Sequence, residues 1–170
     1  CTKCAKDLEV VAMDVTLPVK NNSLLAHFAP YGESADYTIN AESVKVTGKV
    51  VNKYKNIFYR LSDGSYTYAE YLDVSTATGY VNISDTLALN HKPASSANGK
   101  SRMLAELQPY SFMTVYPAES KGSWYSVSAN VNGRIVCGYV YKKYVTIMET
   151  TKEIGETNVS NTGTTSGTVT

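Results

Sequence analysis

At 170 residues and a formal net charge of +1, the chain has room for one domain or two small ones, and its scattered Lys and Arg form no basic stripe, which argues against a nucleic-acid partner. No apolar run approaches the ~18 residues of a spanning helix, so no membrane span is expected. Three cysteines do not make a disulfide framework.

The aromatic content is 14 Tyr against 3 Phe and 1 Trp. Tyr supplies apolar area and keeps a polar tip, which suits small units with marginal cores. Cys1-Thr2-Lys3-Cys4 opens the chain as a CxxC pair, half of a four-ligand zinc site. Three readings stand open: the tail of an upstream Cys-rich module, which is preferred, a lipidated Cys1, or a redox pair, which the lack of a βαβ pattern disfavours. Residues 1–13 are read as the remnant of an upstream segment, with Lys6–Met13 either a helical turn or an entry strand.

A first repeat is placed at 14–77. Val15, Leu17 and Val19 alternate with polar residues, as in a half-buried strand, and Asn21-Asn22-Ser23 marks a turn. Leu24-Leu25-Ala26-His27 leads to a loop at Pro30-Tyr31-Gly32. Val44, Val46 and Val50 form the next strand. The stretch Phe58–Leu72 follows, with Asp63-Gly64 as the turn of a β-hairpin. Side chains alternate faces along a strand. Tyr59 and Leu61 therefore share the inward face, while Phe58 faces out and Tyr66 and Tyr68 share a face opposite Thr67. Ala69–Leu72 is short enough for only a 3₁₀ turn.

The second repeat, 78–149, runs in the same order after a small, polar boundary at Ser75–Gly79. Ala88-Leu89-Asn90-His91 matches Leu24-Leu25-Ala26-His27, which aligns His91 with His27. Trp124-Tyr125-Ser126-Val127 answers Phe58-Tyr59-Arg60-Leu61, and Tyr139-Val140-Tyr141 answers Tyr66-Thr67-Tyr68. The second hairpin carries about seven extra residues around Ala129–Val136, read as a longer loop at Asn132-Gly133. Residues 150–170 are Thr, Ser and Gly rich, with little to bury, and read as a disordered linker to further domains of a parent chain.

These motifs resemble bacterial SH3-like (SH3b) domains. The aromatic-Tyr-x-Leu/Val element matches at Phe58–Leu61 and Trp124–Val127. The closing Tyr-x-Tyr-x-x-Tyr element matches at Tyr66–Leu72 and Tyr139–Val145. Phe58 and Ser65 depart from the family's preferred Trp and Gly. The resemblance implies an all-β chain of two small SH3-like barrels in tandem, extracellular or cell-wall associated in a bacterium. It implies a non-catalytic module whose partner is peptidoglycan or another cell-surface polymer. The expected ligand-binding side chains are Phe58, Tyr66 and Tyr68 in the first unit and Trp124, Tyr139 and Tyr141 in the second, with Trp124 and Tyr139 preferred as a pair. The alternative is a structural spacer or an adhesin segment that binds a host protein or glycan, or nothing, in which the aromatic strips are buried between the barrels.

No catalytic residue, metal site or cofactor is expected. His27 and His91 read as turn residues, because two histidines in separate barrels share no metal without a tight interface. Cys137 lacks an orienting third residue beside a His base and reads as a small buried side chain. The carboxylates are dispersed and pair nowhere on spacing.

Overall fold

Alternating β-branched and polar residues draw the described residues into thirteen strands joined by tight turns and 3₁₀ segments. The computed structural model describes residues 8–32, 36–97 and 99–148. The CxxC pair and the Thr-rich tail lie outside the described residues. No helix among those described is long and apolar enough to cross a membrane.

The first unit comprises β1 (Val10–Pro18), β2 (Ser23–Ala26), β3 (Tyr37–Asn40), β4 (Ser43–Val51), β5 (Ile57–Leu61) and β6 (Tyr66–Tyr68). Strands β1-β4-β5-β6 form one antiparallel sheet and β2-β3 a hairpin. Bridges Val19–Leu72 and His27–Tyr66 tie the hairpin and the sheet end together. Val10–Met13, left between turn and strand by periodicity, is strand, and β1 begins ahead of Asp14.

The second unit comprises β7 (Ala77–Val81), β8 (Leu87–Asn90), β9 (Met103–Leu107), β10 (Phe112–Lys121), β11 (Trp124–Val131), β12 (Arg134–Tyr141) and β13 (Val145–Ile147). Its sheet runs β13-β7-β10-β11-β12-β8-β9. That is the order of the first unit, with the Val19–Leu72 bridge answered by the three-pair β13–β7 ladder and the His27–Tyr66 bridge by the single pair Asn90–Tyr139. The chain is all-β, and each unit closes around its own core. Leu17, Leu24, Val46, Tyr59 and Leu61 fill the first. Val81, Leu89, Val115, Val127 and Val140 fill the second. Ala69–Tyr71 is the expected 3₁₀ turn.

Two sequence expectations are corrected. The extra residues of the second hairpin are strand, not loop. Eight consecutive pairs run from Trp124–Tyr141 to Val131–Arg134, and the turn is the two residues Asn132-Gly133, with φ of 53° and 83°. Positive φ at both positions matches strand twist, so the ladder continues to the tip. The repeat alignment also shifts by one. His27 bridges Tyr66, and Asn90, not His91, pairs with the equivalent Tyr139. His91 instead accepts the Arg102 backbone N–H at its Nδ1, 2.8 Å away, within the β8–β9 connection.

The units meet across a cluster of Val11, Cys137 and Tyr139, against which Val51, Ile57, Leu104 and Trp124 pack. Beside it lies a buried ion pair. Lys49 Nζ is 2.8 Å from Glu119 Oε1, with side-chain exposures of 1% and 0%. The Lys49 ammonium also sits 3.1 Å from the centroid of the Tyr116 ring. The Tyr59 hydroxyl donates to Glu119 Oε2, and Ser126 Oγ donates to Oε1 at 3.1 Å. Burial, then the adjacent Glu119 carboxylate, push the Tyr59 hydroxyl far above its ordinary value, which keeps it a donor. At the rim Arg102 reaches Glu9 at 2.5 Å.

Removing one member of a desolvated pair strands the other charge, at a cost of about 3–5 kcal/mol. Glu119→Gln is therefore expected to lower stability by about that amount in urea unfolding. Lys49→Met combined with Glu119→Gln is expected to cost much less than the sum of the two single changes. Burial raises the Cys137 thiol from 9.0 to about 11. Burial, then Glu119, raise the Tyr139 hydroxyl from 10.0 to about 12. Both groups are neutral in the fold, so above pH 9 the unfolded chain binds fewer protons than the folded one. Stability measured by urea midpoint is expected to be level up to about pH 9 with respect to these groups and to fall as pH rises towards 12. Cys137→Ala is expected to flatten the part of that fall between 9 and 11.

Candidate functional site

The central hairpins place equivalent aromatic side chains on the outer face of each unit. Phe58 stands opposite Tyr68 as Trp124 stands opposite Tyr141. The surroundings of the two pairs differ.

In the first unit Phe58 does lie on the face away from the core, as alternation requires, but it is not exposed. It is 0% accessible. Tyr68 covers it with ring centroids 4.1 Å apart, and His27 packs edge-on at 6.3 Å. The loop after β2 then closes over the pair. Asn52 Nδ2 donates to the Pro30 carbonyl at 2.9 Å, pinning the loop to the β4–β5 turn. Gly32 lies so close to Tyr68 that a Cβ would come within 2.2 Å of its ring. Tyr66 and Tyr68 are half-buried. What remains open is a hollow of about 150 Å³ beside Tyr31, Tyr54 and Tyr68. The outward reading of Phe58 is corrected for this reason: period two sets the side of a sheet, not what lies upon it.

In the second unit Tyr139 is likewise not a groove residue. It is buried at the junction with the first unit, and its hydroxyl donates to the Ala12 carbonyl at 3.3 Å. The expected Trp124–Tyr139 pair is therefore replaced by Trp124 and Tyr141. Their rings meet edge-on, 5.3 Å apart and inclined at 65°. Tyr144, which the sequence reading did not select, joins them 5.7 Å from Tyr141. It stands three residues past Tyr141, as Tyr71 stands past Tyr68.

These three rings wall an open cleft of about 500 Å³. Ile83, Leu87 and Ala88 add apolar surface, and Asp85, Asn90, Ser95 and Ser96 add polar groups. The volume falls within the usual range for small-ligand sites. Asp85 is the one charged residue among the described residues lining it. Asn90 is 2% exposed. Its Nδ2 donates to the Ala94 carbonyl at 3.1 Å, while its Oδ1 is buried without a hydrogen-bond partner. The junction cluster that holds Tyr139 also packs against Trp124.

Two features separate the open cleft from the closed one. The position beside the central hairpin holds Asn90 in the second unit and the His27 ring in the first. The loop that follows lies across Tyr68 in the first unit but lines the cleft wall through Ser95, Ser96 and Ala97 in the second.

Among the described residues no group of three or more His, Cys, Asp or Glu gathers as a metal site. Cys137 is buried, and its thiol is pushed up to about 11 by burial, which disfavours the thiolate that nucleophilic chemistry needs.

Among solved structures the chain is similar to NlpC2 from Trichomonas vaginalis, with 13% identity and a TM-score of 0.34. The match covers 79% of this chain and 48% of that one, so the chain spans about half the length of the structure it matches. No protein-family model matches the chain, and no curated protein sequence matches it.

The closure of the first cleft by its own loop has a direct consequence. Gly32→Ala is expected to drive the Tyr68 ring or the loop aside and to lower stability by about 1–3 kcal/mol, the usual cost of overpacking. Urea unfolding checks this, with Gly64→Ala a poor control because φ is +89° there and Ala41→Gly outside the contact a suitable one.

Proposed function

We propose that this chain is a non-catalytic binding module of an extracellular bacterial protein. It holds cell-wall peptide or glycan in the cleft of the second unit. The observation that carries this reading is the open cleft of about 500 Å³ walled by Trp124, Tyr141 and Tyr144. Aromatic walls with a few polar groups at their base suit an extended, partly apolar chain, which gains area on the rings and direction from the hydrogen bonds. The sequence resemblance to bacterial SH3-like domains supports the same reading. A larger parent chain, such as a peptidoglycan hydrolase, would then be brought to its substrate by this module.

The first unit takes a structural role in this reading. Phe58 is buried under its own unit's loop and Tyr68, whereas Tyr139 of the second unit is buried at the junction, as the spacer alternative predicts for the aromatic strips. With its own aromatic face covered, the first unit does not double the avidity of the second.

The reading is tested by co-sedimentation with insoluble peptidoglycan sacculi. Truncating central aromatic anchors of a binding site commonly costs more than 1 kcal/mol each, so Trp124→Ala with Tyr141→Ala is expected to weaken retention about tenfold or more. Tyr54→Ala, on the exposed turn of the first unit, is expected to leave it unchanged. Failure of the unaltered protein to pellet with sacculi overturns the reading.

A further inference from the structure

The cleft of the second unit has an electrostatic character that narrows its ligand. Three aromatic rings form its walls. Trp124 and Tyr141 lie 5.3 Å apart at 65°, and Tyr141 and Tyr144 lie 5.7 Å apart at 51°, so their faces point in different directions around one space. Aromatic faces carry negative charge density and attract cations, a primary ammonium within about 6 Å of a ring centroid among them. Asp85 lines the same cleft, with no basic residue among the described residues of its lining. One Asp85 oxygen accepts the backbone N–H of Thr86 at 2.7 Å. The ring of Tyr144 already has the Lys143 ammonium 6.0 Å from its centroid.

The second, independent observation is Asn90. It lines the cleft and is 2% exposed, and its Oδ1 is buried without a hydrogen-bond partner. A buried acceptor without a donor is costly, and a ligand N–H removes that cost. Its Nδ2 is committed to the Ala94 carbonyl at 3.1 Å, which orients the amide and leaves Oδ1 as the available acceptor.

We infer that the cleft recognises a primary ammonium group on its ligand, with Asp85 as the counter-charge, Asn90 Oδ1 as an acceptor and Trp124, Tyr141 and Tyr144 as the cage. The inference rests on the binding reading above and adds the chemical class: a cell-wall peptide bearing a free amine on a side chain or at its amino end. An acetylated amine has lost the charge and two of its three N–H donors, so it satisfies neither Asp85 nor the cage.

The test compares untreated sacculi with sacculi whose free amines have been acetylated by acetic anhydride. Acetylation is expected to lower retention of the unaltered protein about tenfold, the typical worth of a charge-assisted contact. Asp85→Asn is expected to lower retention on untreated sacculi by a similar factor and to change nothing on acetylated ones. Asp85 is exposed, so this variant is expected to fold, and circular dichroism checks that it does. A second arm uses a soluble probe, Nα-acetyl-lysine methylamide, against its Nε-acetylated form. Trp124 is the single Trp of the chain, so its fluorescence reports occupancy of the cleft. A saturable change with the amine, absent with the acetylated form and weakened by Asp85→Asn, supports the inference even if sacculi are not bound, in which case only the wall reading fails. Equal retention on both kinds of sacculi, or no fluorescence difference between the two probes, overturns the ammonium assignment and leaves the wall reading standing.

Discussion

The arrangement of the two units turns on one desolvated ion pair. Lys49 comes from β4 of the first unit and Glu119 from β10 of the second, and neither charge meets solvent. Taking both out of water costs several kcal/mol per ion, and the attraction between them repays this only with close geometry and additional partners. Here those partners come from both sides: the Tyr59 hydroxyl from one unit, and Ser126 Oγ and the Tyr116 ring from the other. Moving the units apart would leave two charges and a raised-pKa phenol to find new partners. The observed docking matches both buried charges with partners from the two units.

That geometry reaches the candidate site through a short chain of contacts. Beside the ion pair, Val11, Cys137 and Tyr139 make an apolar cluster against which Trp124 packs. Trp124 presents its other surface to Tyr141 and the cleft. One wall of the cleft is therefore continuous with the apolar cluster at the junction of the units.

Two units with the same strand order have arrived at different surfaces by small means. The sheet order, the hairpin pair Phe58–Tyr68 or Trp124–Tyr141, and the closing bridge or ladder are common to both. The ring of His27 in place of Asn90 fills space beside the hairpin, and a loop anchored by Asn52 covers the rest. The same scaffold is thereby closed in one copy and open in the other. Loops and single side chains set surface function while the ladder of backbone hydrogen bonds sets the frame.

The sequence by itself determined the all-β class, the repeat, the turn residues Asp63-Gly64 and Asn132-Gly133 and the inward set Tyr59, Leu61, Val127 and Val140, though not the length of the second hairpin's strands, because period-two alternation and turn chemistry act over a few neighbouring residues. It also assigned Trp124 and Tyr141 to the outer face, where the structure places them beside the cleft. Only the tertiary structure decided whether an outer face stays open. Phe58 is covered by a loop some 25–30 residues earlier, and Tyr139 by a strand 127 residues away. The same holds for Lys49 and Glu119, 70 residues apart and unremarkable in their own strands. Burial of a polar residue and closure of a surface depend on which distant segments arrive there. Alternation along a strand carries the direction of each side chain but no record of what it meets.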